Sequence, residues 1–155
     1  MLRVEVSTTV EAPRETVLGV YADYAGWPRL FPTIGGVQLL GRQGPKLVLQ
    51  VDHAEGKVLN ELVVRPPDRL DLWEEKRRYD AWFRNRFDRV PGGTRFTARG
   101  EFHLKGWARL LRPFLGGFAR RQMRRLQLEP VKAEAEARAR PGRSGGPART
   151  GGELA

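Results

Sequence analysis

The stretch KGWARLLRPFLGGFARRQMRRLQLEPVKAEAEAR, residues 105–138, decides the fold. It is the longest helix-like run in the chain. Trp107, Leu111, Phe114 and Phe118 recur at i, i+4, i+7 and i+11, a spacing that predicts one face of a helix. Leu110, Leu115, Ala119, Met123 and Leu126 widen that stripe, and Arg109, Arg112, Arg120, Arg121, Arg124 and Arg125 occupy the rest of the circumference. Pro113, Gly116 and Gly117 weaken the first turns, and Pro130 predicts a bend near the end. Each large apolar side chain contributes about 1.5–3 kcal/mol once buried. The stripe therefore calls for a broad apolar partner, and Phe114 and Phe118 are expected to lie against it.

Immediately upstream the periodicity changes from helical to alternating. In Thr94–Leu104, Phe96, Ala98, Gly100, Phe102 and Leu104 share one face, and Arg95, Thr97, Arg99, Glu101 and His103 share the other. Pro91-Gly92-Gly93 is a hairpin signal that joins this strand to Ala81–Val90. Further back, Pro66-Pro67-Asp68, Glu55-Gly56 and Gln43-Gly44-Pro45 separate strands expected at Arg69–Arg78, Lys57–Arg65, Lys46–His53 and Val37–Arg42. Six strands linked in this way form an antiparallel meander. At the front, Val4, Val6, Thr8 and Val10 alternate with polar residues in a further strand. Pro13 then opens a short helix to about Asp23, and Tyr24–Phe31 reads as a second short helical piece closed by Pro32.

The predicted architecture is α+β: a curved seven-stranded antiparallel sheet wrapped around a long C-terminal helix, with two short helices after the first strand. The folded domain is expected over residues 1–139. RPGRSGGPARTGGELA, residues 140–155, is too poor in apolar residues to pack and is expected to form a disordered tail. A sheet curved over one helix leaves an apolar gap between them, which suits a ligand. Trp27, Phe31, Leu49, Val51, Phe83, Phe87, Phe96, Phe102, Phe114 and Phe118 are the residues expected to line it.

Composition narrows the chemistry. The chain has no cysteine, which removes disulfides, thiolate metal sites and cysteine nucleophiles. It carries a formal net charge of +10, which suits an anionic membrane surface, an acidic partner or nucleic acid. No nucleic-acid recognition motif accompanies the charge, and the aromatic residues follow core periodicities, so nucleic acid is disfavoured. The two histidines and the scattered acids lack metal-ligand spacing, so no metal is expected. No phosphate-binding loop, nucleophile elbow or dinucleotide fingerprint is present, and no cofactor is called for. Without a signal-like or membrane-spanning run, a cytoplasmic location is expected, with peripheral membrane contact as the alternative.

Few residues stand out as chemically active. His53 shares parity with Leu47, Leu49 and Val51 and so points toward the inner face, where an imidazole can act as acid or base. Glu61 is a candidate carboxylate, to be paired with Arg65 or Lys57 or with a neighbour on the sheet surface. Arg120, Arg121, Arg124 and Arg125 are candidates for a membrane-facing basic band.

The order of elements resembles the helix-grip fold of the START and pollen-allergen superfamily, often called SRPBCC. EAPRETVLGVYADYAGWPRLFPTIGGVQLL, residues 11–40, is similar to the front of its polyketide cyclase/dehydrase branch: Ala-Pro, an apolar helix, an acidic residue, Trp-Pro and a short apolar segment. The same region looks like the coenzyme Q-binding, lipid-transport branch. VVRPPD at Val63–Asp68 and VPGGT at Val90–Thr94 extend the likeness. The resemblance implies a deep cavity for a polyketide, quinone or lipid, and either cyclase/dehydrase-like activity or non-enzymatic carriage at anionic membranes. In the aromatase/cyclases a cavity arginine polarises the substrate, and the arginine motif falls here on Arg65. Alternation nevertheless places Arg65 opposite the apolar face of Val58, Leu62 and Val64. Leu59 and Glu61 stand where that branch carries large aromatic residues.

Overall fold

The computed structural model describes residues 1–140; the tail expected at 140–155 lies, apart from Arg140, outside the described residues. The chain runs through β1 (Leu2–Val10), α1 (Arg14–Ala22), a 3-10 turn (Tyr24–Gly26) and α2 (Trp27–Leu30). It continues through β2 (Ile34–Gln43), β3 (Lys46–His53), β4 (Gly56–Arg65), β5 (Arg69–Glu75), β6 (Tyr79–Val90) and β7 (Gly93–Leu104). A 3-10 segment (Gly106–Leu111) then leads into α3 (Arg112–Met123), a π-helical turn (Arg124–Leu128) and α4 (Glu129–Ala139).

The seven strands form one antiparallel sheet in the order β1-β7-β6-β5-β4-β3-β2. Period-two patterning dictates its inner face. Val4, Val6 and Val10 on β1, Leu49 and Val51 on β3, Leu62 on β4, and Leu70 and Leu72 on β5 are all buried. Ala81, Phe83 and Phe87 on β6 and Phe96, Ala98 and Phe102 on β7 complete the set. α1, α2 and the C-terminal helical run close over this concave face, the helix-grip arrangement expected from the sequence. β5 ends at Glu75, three residues before the sequence suggests, and β6 starts earlier, at Tyr79.

The helical run departs from a straight amphipathic rod. Trp107, Leu110, Phe114 and Phe118 are 62%, 79%, 79% and 51% exposed, so the expectation that Phe114 and Phe118 lie against the sheet is corrected. The buried contacts come instead from Met123, Leu128, Val131 and Ala135. Two features explain the change. Continued along a helix, the Trp107–Phe118 face runs into Gln122 and Arg125, whereas the Leu115–Ala119–Met123 row leads into the core. The π-helical turn then carries one more residue per bond than an α-turn, which rotates everything beyond it. It ends just before Pro130, whose ring nitrogen has no hydrogen to donate to an α-helical ladder, and Pro130 sits in the first turn of α4.

Two glycines set the closest approaches. A Cβ on Gly100 would meet the Phe102 ring at 2.8 Å and the Met123 sulfur at 2.9 Å, so its absence lets α3 settle on β7. A Cβ on Gly93 would collide with the Val10 carbonyl, which abuts the β6–β7 turn. Beside this turn, Glu136 accepts a hydrogen bond from the Glu11 amide at 2.9 Å, and Lys132 donates to the Thr9 carbonyl at 2.7 Å. These bonds fasten α4 to the end of β1.

Candidate functional site

Between the sheet and the helical run lies a cavity of about 400 Å³. Its apolar wall comes from α2 and the segment after it (Trp27, Phe31, Ile34), from the sheet (Leu72, Phe83, Phe102) and from the helix (Leu115, Phe118, Met123). A tight corner positions the first of these groups. The Trp27 indole donates to the Tyr21 carbonyl at 2.8 Å, and Tyr21, Trp27 and Phe31 meet edge to face with centroids 5.7–6.3 Å apart. Phe102 makes similar contacts with Tyr79 and Phe83, at 5.7 and 5.6 Å.

Of the residues expected in the wall, Trp27, Phe31, Phe83, Phe102 and Phe118 border this space. Leu49, Val51, Phe87 and Phe96 do not; they are fully buried in the packed core. Phe87 and Phe96 stack on each other there at 4.9 Å, leaving no room for a ligand. Phe114 points to solvent. Arg65 and Glu61 are on the outer face. Arg65 is mostly exposed, 3.6 Å from Asp71, and Glu61 pairs with Lys46 at 3.3 Å. With no bulge between β4 and β5, strict alternation carries both away from the cavity. Trp82 also faces outward, with the Arg84 guanidinium 5.6 Å from its ring.

One end of the cavity is polar. His53 borders it, as do Glu74, Lys76 and Tyr79, with Glu55, Thr33, Tyr21 and Gln127 nearby in the wall. Glu74 sits between two cations or potential cations. Its Oε1 is 3.9 Å from His53 Nε2 and its Oε2 is 3.6 Å from Lys76 Nζ. Both distances are beyond a good hydrogen bond. The side chains of His53 and Glu74 are each only 9% exposed, and His53 Nε2 has no hydrogen-bond partner. The signal for Glu74 is present in the sequence: it follows Leu70 and Leu72 at period two on β5, so the pleat turns it inward. Tyr79 opens β6 and shares the inward parity of Ala81, Phe83 and Phe87, which reads it as wall from the sequence, whereas Lys76 lies in the turn between β5 and β6, where no periodicity applies.

Burial sets the protonation of this cluster. It lowers the His53 pKa below the usual histidine value, with Glu74 and Glu55 pulling the other way and Lys76 adding to the drop, so the neutral imidazole is favoured. Burial also acts to lower Lys76, but Glu74, Tyr79 and Glu55 outweigh it and hold the ammonium charged. Tyr79 is raised by burial, partly offset by Lys76, and Tyr21 is raised strongly by burial. Both phenols stay protonated and able to donate. The cavity thus joins a large apolar wall to one compact end holding an ammonium, a carboxylate, an imidazole and phenolic hydroxyls.

A second feature lies at the mouth. The exposed side chains of Trp107, Leu110, Leu111, Phe114 and Phe118 share one segment with Arg109, Arg112, Arg120 and Arg121, all exposed. From Lys105 to Leu128 the chain contains no Asp or Glu. Arg124, farther along, donates to the Ser7 carbonyl at 3.2 Å, and Arg125 is exposed. Among the described residues no helix is long and apolar enough to cross a membrane.

Solved structures share this fold at low sequence identity. The Zhui aromatase/cyclase from a Streptomyces species superposes with a TM-score of 0.70 at 19% identity, over 90% of this chain and 96% of that one. A START superfamily protein from Mycobacterium smegmatis gives 0.61 at 18%, over 90% and 97%. The di-domain aromatase/cyclase StfQ of the steffimycin biosynthetic pathway gives 0.68 at 20%, over 89% of this chain. The present chain covers 52% of StfQ, about half its length. No curated protein sequence matches the chain significantly. A sequence-family model described as polyketide cyclase/dehydrase and lipid transport matches residues 1–136. The chain therefore belongs to the polyketide cyclase/dehydrase and lipid transport family.

Proposed function

We propose that this protein binds an apolar small molecule, of the polyketide, quinone or lipid class, between the sheet and the helical run. The observation that carries the reading is the cavity itself: about 400 Å³ of mostly aromatic and aliphatic wall with polar groups gathered at one end. Cyclase-like turnover in such a site needs a fixed cation near a developing enolate oxygen. Arg65 is on the wrong face for that role, and Lys76 is the cation that borders the cavity. Nile red should bind with one site per chain and brighten on binding. Ala119→Trp, which places a large ring in the wall near the mouth, should abolish the signal, whereas Leu110→Gln on the exposed patch should leave it. Dye binding indifferent to Ala119→Trp would contradict the reading.

One observation favours a second reading, exchange of that ligand with an anionic bilayer. An acid-free segment carrying exposed Trp107, Leu110, Leu111, Phe114 and Phe118 among arginines has the chemistry of an interfacial helix. Phe118 belongs both to this patch and to the cavity wall, so a docked segment would bring the mouth to the lipid. Each basic residue near such a surface contributes about 1 kcal/mol. Co-sedimentation with phosphatidylcholine vesicles containing phosphatidylglycerol should weaken sharply between about 50 and 200 mM salt. It should be lost when Arg120, Arg121, Arg124 and Arg125 become Gln, and reduced by Leu110→Gln with Phe114→Gln. No binding at low salt would remove the membrane reading, and a stable dimer in solution would assign the patch to a second copy instead.

A further inference from the structure

We infer that the polar end of the cavity selects ligands bearing a hydroxyl group, because the gaps flanking the buried Glu74 carboxylate fit a group that both donates and accepts a hydrogen bond. The inference rests on the cavity being the ligand site and adds to it the chemistry of the ligand's head.

The selection follows from unpaired polar groups. Glu74 is nearly fully buried, yet neither neighbour satisfies it: Lys76 Nζ is 3.6 Å from one carboxylate oxygen and His53 Nε2 is 3.9 Å from the other. His53 Nε2 is itself buried without a partner. A buried polar atom left unpaired costs far more than an average hydrogen bond returns, so a ligand that completes the set is selected over one that does not. A plain hydrocarbon end completes nothing. A ketone or ether oxygen accepts from Lys76 but gives Glu74 no proton and sets a lone pair against its charge. A carboxylate head meets the negative charges of Glu74 and Glu55, while the Lys76 charge is already balanced by Glu74. A hydroxyl donates to a Glu74 oxygen and accepts from the Lys76 ammonium, and an imidazole beside it can supply or receive the remaining bond. Tyr79 borders the same corner, with Lys76 Nζ 5.4 Å from its ring centroid. Phenols, enols and apolar alcohols fit this description. Because Arg65 lies outside, the selection comes from Glu74 and differs from the carbonyl or phenolate preference that an inward arginine would impose.

Three ligands of one shape test this: 2-naphthol, 2-methoxynaphthalene and 2-naphthoate, titrated against the full chain by calorimetry at a pH where the naphthol is neutral. The expected order of affinity is naphthol, then the methyl ether, then naphthoate, with naphthol ahead of the ether by on the order of tenfold. In Glu74→Gln, which keeps the shape and removes the charge, the naphthol-to-ether ratio should fall to about threefold or less, with the ether's own affinity no lower than in the wild type. In Lys76→Met, which removes a donor that both oxygens use, the affinities of naphthol and ether should fall together. The ratio is read on folded protein, and the wild-type order stands as a test even if a variant is poorly folded. An ether that binds as tightly as naphthol, or a ratio untouched in Glu74→Gln, overturns the inference and leaves the cavity reading intact. Naphthoate binding more tightly than naphthol overturns it in favour of an anion site at Lys76. If none of the three binds, the cavity reading fails and the inference with it.

Discussion

At the scale of single residues, the contrast between Arg65 and Glu74 shows how side-chain parity decides chemistry. Both are charged residues on adjacent strands, yet one is on the outer face beside Asp71 and the other is buried against the cavity. Arg65 could be read as outward from the alternation of Val58, Leu62 and Val64. Glu74 could be read as inward from Leu70 and Leu72 in the same way, but a charged residue in a strand is ordinarily assigned to solvent, which is its usual place. The His53 imidazole gives a pH prediction with a definite sign. Its pKa is lowered in the folded state, chiefly by burial, in an environment of Glu74, Lys76 and Glu55. An unfolded chain takes up the proton first, near the ordinary histidine value, so the contribution is present above about pH 6.5 and is lost as pH falls through the lower, folded value. Between pH 7.5 and 5, the urea midpoint of the wild type should therefore fall more than that of His53→Leu. Parallel midpoints in the two proteins would mean that His53 is accessible to protons in the fold.

Among the elements, the strands were legible and the helix was only partly so. Every strand pairs in an unbroken antiparallel register except β2, which carries two irregularities against β3, at Ile34/Gly36 and Leu39/Gly41. Period-two alternation is plain in the strands that have one buried face, and it fades in β2, which has no fully buried residue. The helical stripe misled because a wheel drawn at a constant angle cannot pass through the 3-10 start at Gly106–Leu111 or the π turn at Arg124–Leu128. The energetic consequence is measurable. Met123 is buried above Gly100, so Met123→Ala should cost about 2–5 kcal/mol. Phe114 is mostly exposed, so Phe114→Ala should stay within about 0.5 kcal/mol. Equal losses at both positions, measured by denaturant unfolding, would place the helix on the sheet in the orientation that the simple wheel suggests. The low cost expected at Phe114 is consistent with a side chain kept outside for contact rather than for packing.

At the scale of the whole molecule, the sheet and helices are closed at one end and open at the other. Phe87, Phe96, Val10 and Thr94 fill the closed end under α1, with Thr94 donating to the Ala12 carbonyl at 2.7 Å. The fold and its interior gap followed from where apolar faces needed partners. The position of the gap did not, because apolar residues in a solid core and in a cavity wall have the same periodicity, and only packing separates Phe83 from Phe87. The central claim is that an apolar ligand sits in this gap. The most direct measurement is a set of isotope-filtered NOEs between bound 2-naphthol and the labelled protein. The account predicts contacts from the ligand ring to the methyl groups of Leu72, Met123 and Leu126, which face one another across the cavity. Contacts confined to Leu110, Leu111 and Trp107 on the exposed patch would contradict it.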